Sequence, residues 1–528
     1  MAITAHLGAP RRRISVPAAL AAFAGLAAML PLAGVAAAAL FGDTADIAAR
    51  DVARYAATSA WLALLVGIVT AILGSLAAWL IVMCRFPGRN MFAWALALPL
   101  AAPAFALAYA YADMFDVAGP LRIWMRASLG FDLPFGMRGL GGAVFVLSCA
   151  FYPYVYLAMR AAFLNQSVNV LEAARTLGCS GWRAFGRVAL PMARPALAAG
   201  VALAVMETLA DYGAVQFLSV QTLTTGVVRA WSVYGSTVSA ARFALPLLAT
   251  AALLLWIERR GRKGSTHEAG NARWRALGLK TLSGVPAWLA TGFCLLLLTA
   301  GLLLPVGWLL AHALDTRPDW PRLLRASTHS LGLGTAGAFV TVTLAAMLAL
   351  GGRRLPMAAR LASLGYATPG AVMAIGLLAP AGVIWNLMPG SGYGVAIALL
   401  IYAYAARLMA AALEPIDAGL TRVTPSMIHA ARSLGRSEIG GALAVELPIV
   451  RGAMLTAGLI VFIDVLKELP ATLILRPFNF DTLAVTANNY ALDERLEQAG
   501  VPSVMIVLLV LPAVIWLTRK IALSRPGF

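Results

Sequence analysis

The chain has 528 residues, 61% of them hydrophobic and 12% charged, with 41 Lys and Arg against 23 Asp and Glu for a formal charge of +18. That charge density is about half the usual value for a soluble domain, which excludes a water-soluble globular protein and leaves an integral membrane protein. The positive excess does not point to nucleic acid, because the basic residues bracket apolar runs instead of forming a soluble basic face.

Runs long enough to cross a bilayer as helices, about 20 residues each, fall near 16–41, 59–84, 92–115, 139–159, 197–220 and 240–257. A second six follow near 286–311, 328–350, 361–388, 393–413, 452–475 and 501–518. These runs are too long and too rich in Ala and Leu for barrel strands. The expected fold is therefore all-α, a polytopic membrane protein of about twelve transmembrane helices. Residues 1–257 form the first half, 258–285 a basic cytoplasmic linker where Gly, Ser, Asn and charge replace hydrocarbon, and 286–528 the second half. Six spans per half is an even number, so the halves enter the membrane alike, as parallel repeats about an axis along the membrane normal.

Basic residues mark one side of the alternating spans. Arg11, Arg12 and Arg13, then Arg85 and Arg89, then Arg160 to Arg194, the linker, Arg353 to Arg360 and Arg519 to Lys520 all share it. The positive-inside rule makes that side cytoplasmic, with both termini on it. A basic cluster before an apolar stretch also opens secretory signal peptides, but the first run exceeds their 7–15 apolar residues, which favours a retained anchor helix. Cys84, Cys149, Cys179 and Cys294 lack metal-ligand spacing and read as small apolar fillers. Asp113 and Asp116 read as a loop pair near an external helix end.

The most informative feature is a repeat. Residues 172–197 align without a gap on 429–454, an offset of 257, with 11 identities that include Arg175/Arg432, Gly178/Gly435, Ser180/Ser437, Pro191/Pro448 and Arg194/Arg451. Glu172 to Leu177 are helix formers, Gly178 suits a left-handed helix end, and Ser180 and Ser437 suit the N-cap of a following helix. Pro191 and Pro448 then open the next membrane helix. The predicted unit is a compact cytoplasmic helix, turn and helix in each half.

The spacing Glu-Ala-Ala, three residues, Gly, nine residues, aliphatic, one residue, Leu-Pro resembles the cytoplasmic loop of binding-protein-dependent ABC importer permeases of the type I kind. The resemblance implies that the loop couples to a separate ATPase subunit, one copy per half. It assigns the role to Glu172, Ala173, Ala174 and Gly178, and to His429, Ala430, Ala431 and Gly435, with His429 departing from the family's glutamate. It also implies a periplasmic substrate-binding protein, for which Arg476, Asp481 and Asp493 to Glu497 are docking candidates by location. No Gly-x-x-x-x-Gly-Lys-Ser/Thr loop occurs, since Gly261 to Thr266 has its letters in another order. ATP is thus expected on the partner, with no cofactor bound by this chain and no catalytic constellation in it.

Past the repeat the same offset pairs Glu207 with Asp464 and Asp211 with Glu468. Two acids four residues apart share a face of a continuous helix, and Glu207 would lie roughly 18 Å along one starting near Pro195. Charges at that depth face a cavity or a partner. Two readings stand: the four carboxylates line a path suited to a hard cation that prefers oxygen ligands, or Lys467 neutralises Asp464 or Glu468 and the other acids bond to neighbouring helices.

Met206 to Gly213 with Gly226 and Trp231, and Leu466 to Thr472 with Arg476 to Ala484, are similar to the two halves of fused ferric-iron-type permeases. That similarity implies ferric iron as cargo, with thiamine, phosphonates and polyamines as alternatives moved by similar permeases. A gradient-driven secondary transporter of twelve helices is the other class of reading. The position of the repeat, between the fourth and fifth span of each half, argues against it.

Overall fold

The computed structural model describes residues 16–42, 49–132, 136–165, 183, 185–262, 280–352, 355–388 and 390–523. Among them ten helices are long and apolar enough to cross a membrane, and two further spans are bent, by 89° between Arg89–Ala101 and Ala104–Leu129 and by 70° between Phe185–Met192 and Arg194–Ala210. The twelve divide six and six.

In the first half the spans are α1 (Val16–Phe41), α2 (Ala49–Met83), a bent third containing α3 (Ala104–Phe115), α4 (Leu140–Asn165), α5 (Arg194–Ala210) and, after the short α6 (Gly213–Phe217), α7 (Thr237–Arg262). In the second they are α8 (Val285–Leu298) continued through a π-turn into α9 (Leu304–Asp315), α10 (Trp320–Gly352), α11 (Gly370–Leu387), α12 (Gly392–Leu420), α14 (Leu447–Lys467) preceded by the surface helix α13 (Pro425–Ser433), and α16 (Leu496–Leu523), with the short α15 (Pro470–Leu475) after α14. The breaks have chemical causes. Pro103 and Pro369 lack an N–H and sit extended before α3 and α11, at ψ 141° and 145°. The spans predicted at 92–115 and 361–388 are therefore each broken at the proline, with Arg89–Ala95 and the short turn Leu98–Ala101 before α3 and Pro356–Tyr366 before α11.

The first span of each half packs on the other half as well as on its own. α1 lies against α10, α11 and the helix Pro356–Tyr366, while α9 packs against α3 of the first half as well as α16 of its own. The face of α1 that does this is lined by small residues, Ala18, Ala21, Ala24, Gly25 and Ala28, whose lack of bulk lets backbones approach. Its other face presents Phe23 and Leu26 outward, as a lipid-facing surface does.

A two-residue parallel ladder, β1 (Cys84–Arg85) with β2 (Lys280–Thr281), ties the end of α2 to the last part of the predicted linker, and the Leu282 N–H extends it by donating to the Arg85 carbonyl at 2.9 Å. It is the only strand pairing among the described residues. α7 runs to Arg262, five residues past the predicted end of the first half; residues 263–279 of the predicted linker lie outside the described residues. Cys84, Cys149 and Cys294 are buried, and Cys179 lies outside the described residues.

Asp113 and Asp116 do not act as a pair. Asp113 accepts from Trp308 Nε1 at 2.8 Å and lies 2.9 Å from His312 Nε2, both from α9, whereas Asp116 lies 3.6 Å from Arg138. Of the candidate docking residues, Arg476 and Asp481 are ion-paired to each other, and Asp481 also lies 3.5 Å from Arg322. Those charges fix the loop on α10, and the aromatic tip Phe478 is left almost fully exposed.

Candidate translocation and coupling sites

The acids do not lie on two continuous helices. α5 ends at Ala210, and Asp211 turns extended at ψ 136° so that its carboxylate accepts the backbone N–H groups of Ala214 at 3.0 Å and Val215 at 3.1 Å. α14 ends at Lys467, Glu468 is extended at ψ 123°, and its Oε1 accepts the Ala471 N–H at 3.4 Å. Pro470 at the start of α15 forbids a continuous helix there. The spans predicted to run through 197–220 and 452–475 thus stop midway, and Glu207 with Asp211, like Asp464 with Glu468, does not share one helical face. In each half the first acid projects from a helix and the second caps the next one. The offset of 257 survives down to the capped residues, Ala214 and Ala471.

The two breaks face each other across a cavity of about 90 Å³ between the halves. All four acids line it, together with Pro103 and Tyr154 from the first half and Arg407 and Lys467 from the second. Arg407, from α12, pairs with Glu468 of its own half and lies 4.0 Å from Glu207 of the other. Lys467 lies 3.5 Å from Asp464 and donates to the Leu100 carbonyl in the first half at 3.1 Å. Gly370 makes room for this cluster, because a Cβ at that position would collide with the Glu468 carboxylate. Four carboxylates against two cations leave a formal charge of −2 on the lining. Among the described residues no three His, Cys, Asp or Glu side chains are grouped to hold a metal ion.

Both sequence readings of the acids therefore contain part of the geometry: the carboxylates converge, and Lys467 does meet Asp464. The residue that sequence reasoning missed is Arg407. It was visible as a lone arginine inside the predicted span 393–413, where an ionisable group marks a functional position.

The second repeat loop is a helix, turn and helix. α13 ends beyond Ser433, where Gly435 takes φ +77° and its N–H bonds the Arg432 carbonyl at 2.9 Å, while the Arg436 N–H bonds Ala431 at 3.1 Å. Ser437 Oγ then accepts the Gly440 N–H at 3.1 Å and caps Glu438–Gly441. The helix capped there runs on through a π-turn, Ala442–Glu446, into α14, so Glu438–Lys467 is one continuous span and Pro448 lies within it instead of opening it. His429, Ala430 and Gly435 are exposed, and Ala431 is buried beneath them. Leu434 is 83% exposed at the turn, an apolar tip on a polar loop. Glu172, Ala173, Ala174 and Gly178 of the first loop lie outside the described residues.

Residues 63–259 match the family model of the binding-protein-dependent transport system inner membrane component. Over 448 residues the chain is 25% identical to the Fe(3+)-transport system permease protein FbpB 2 of Haemophilus influenzae, covering 83% of this chain and 84% of that protein. It is also 33% identical to the sulfate transport system permease protein CysT of Escherichia coli over 157 residues, 30% of this chain and 55% of CysT. Similarity to the molybdenum transport system permease protein ModB of Escherichia coli is again 33%, over 137 residues that make up 26% of this chain and 58% of ModB.

Proposed function

Because the chain belongs to the permeases of binding-protein-dependent ABC importers, in their fused two-half form, we propose that it carries ferric iron through the cavity between its halves. As a permease it is a multi-pass inner-membrane component and not itself an enzyme, and it works with an ATPase and a binding protein. Two copies of the ATPase engage it from the cytoplasm, one at the loop holding Glu172, Ala173, Ala174 and Gly178 and one at the loop holding His429, Ala430, Ala431 and Gly435. ATP is consumed there, and this chain binds no cofactor. The binding protein delivers its cargo on the periplasmic side. Both termini are cytoplasmic, on the side of the basic loops.

The observation that carries the cargo assignment is the lining charge. Four carboxylates, Glu207, Asp211, Asp464 and Glu468, outnumber Arg407 and Lys467 around one cavity. A field of that sign favours a cation with hard-oxygen preference over sulfate or molybdate. Similarity to an Fe(3+) permease along 83% of the chain supports the same cargo.

The test is uptake into proteoliposomes holding the permease and its ATPase, with the purified binding protein outside and ATP supplied or withheld inside. Radiolabelled ferric iron is expected to accumulate only with ATP. Accumulation of sulfate, molybdate or thiamine in place of iron would reassign the cargo. Uptake driven by an ion gradient with no ATPase present would remove the coupling reading altogether.

A further inference from the structure

The carboxylates around the cavity follow the repeat, and the cations do not. Glu207 and Asp211 are matched at offset 257 by Asp464 and Glu468, but Lys467 is matched by Ala210. Among the cavity-lining residues both positive charges, Arg407 and Lys467, belong to the second half, and both reach across to the first. A symmetric pair of acids is thus served by an asymmetric pair of bases.

Arg407 is the more telling of the two. It is 9% exposed, its guanidinium is paired with Glu468 and stands 4.0 Å from Glu207, and its Nε is buried with no hydrogen-bond partner. Arginine does not lose its proton in proteins, and its planar fork presents five donors, enough to serve two carboxylates at once. A fixed positive charge at a constriction raises an electrostatic barrier to cations and protons. The contact to Glu207 is the longer of the two and joins opposite halves, so it is the one that breaks when the halves part. Arg407 then travels with Glu468, and Glu207 is left facing the open path.

We propose that Arg407 is the resident counter-ion of the pathway: between transport events it occupies Glu207 and Glu468, seals the neck against sodium, potassium and protons, and gives way to the cargo when the halves separate. This deepens the proposed function, since it rests on the cavity lying on the translocation path. It does not depend on which cation is the cargo.

The test is passive ion leak, measured without cargo and without ATP on the full permease–ATPase complex in potassium-loaded liposomes with a potential-sensitive dye. Wild type is expected to hold the gradient. Arg407→Gln is expected to dissipate it, and Arg407→Lys to restore the seal. The triple variant Arg407→Gln, Glu207→Gln and Glu468→Gln, which disturbs packing as much or more, is expected to be tight again, because only Asp211 and Asp464 then remain against Lys467, a smaller negative excess than in Arg407→Gln alone or in wild type. Should Arg407→Gln fail to assemble, Arg407→Met, an unbranched side chain without the charge, supplies the same comparison. A gradient held equally by assembled wild type and Arg407→Gln, or by assembled wild type and Arg407→Met, overturns the proposal. If ferric iron is not taken up by wild type while Arg407→Gln still leaks, the cargo assignment fails and the counter-ion stands.

Discussion

Lys467, in the last turn of α14, donates to the carbonyl oxygen of Leu100 at 3.1 Å, a hydrogen bond from the second half of the chain to the first. The same ammonium lies 3.5 Å from Asp464. It therefore both staples the halves and offsets one of the four acids. Lys467→Met removes the donor and leaves Asp464 without its neighbouring cation. Hydrogen bonds to charged groups contribute about 1.5–3 kcal/mol, so the detergent-solubilised variant is expected to melt at a lower temperature, with Lys467→Arg retaining most of the difference. Melting curves that superimpose on wild type would show that the staple contributes nothing.

Gly435 turns the second repeat loop at φ +77°, and nothing lies within 4 Å of where its Cβ would be. The cost of Gly435→Ala is then conformational alone, about 1–2 kcal/mol for a left-handed non-glycine residue. Ser437→Ala gives up the cap on Gly440, typically about 1 kcal/mol. Both changes fall on an exposed turn outside the membrane helices. Insertion and melting temperature are expected to be unchanged, while affinity for the ATPase falls about tenfold, the equivalent of 1.4 kcal/mol. A titration of ATPase onto immobilised permease measures this, and undiminished affinity in both variants would take the loop out of the coupling interface.

α1 meets α11 backbone to backbone. A Cβ on Gly34 would overlap the Gly376 carbonyl, and a Cβ on Gly376 would overlap that of Pro31. Backbone cannot rotate away as a side chain can, so Gly34→Val or Gly376→Val must push the helices apart, at about 1–3 kcal/mol for overpacking. Each is expected to lower yield and thermal stability. The double variant should cost less than the sum, because one displacement relieves both clashes. Strict additivity would mean the two glycines do not share a contact.

Much of this architecture was legible in the chain, and for identifiable reasons. Span number followed from apolar run length, and the turn at Gly435 and cap at Ser437 followed from residue chemistry that local backbone geometry dictates. Helix breaks at Asp211 and Glu468 were harder to see. An apolar run continues through both positions, and periodicity alone does not register that a carboxylate prefers to cap the short helix that follows. The crossing of α1 onto the second half was invisible because small-residue stripes specify close packing but not the partner. Arg407 was overlooked for a related reason: its partners, Glu207 and Glu468, lie 200 and 61 positions away in the chain, and only the fold brings them to it.

Glu207 and Asp464 are equivalent by the repeat, project from the last turns of α5 and α14, and line the same cavity. Each side chain is 24% exposed, so neither is sealed in the protein interior. Replacing both with alanine leaves the main structural bonds in place: Arg407 keeps Glu468, and Lys467 keeps the Leu100 carbonyl. The lining, however, changes from four acids and two bases to two of each, and its net negative field vanishes. Assembly with the ATPase, read by size-exclusion chromatography, is therefore expected to be intact, while ATP-dependent uptake of ferric iron is lost in the double variant and reduced in each single one. Because the two acids act on the same cation, the single losses should not multiply to the double. Wild-type uptake by the assembled Glu207→Ala/Asp464→Ala protein would place the cargo's route elsewhere, since a cation passing through this cavity would respond to the removal of half its acids.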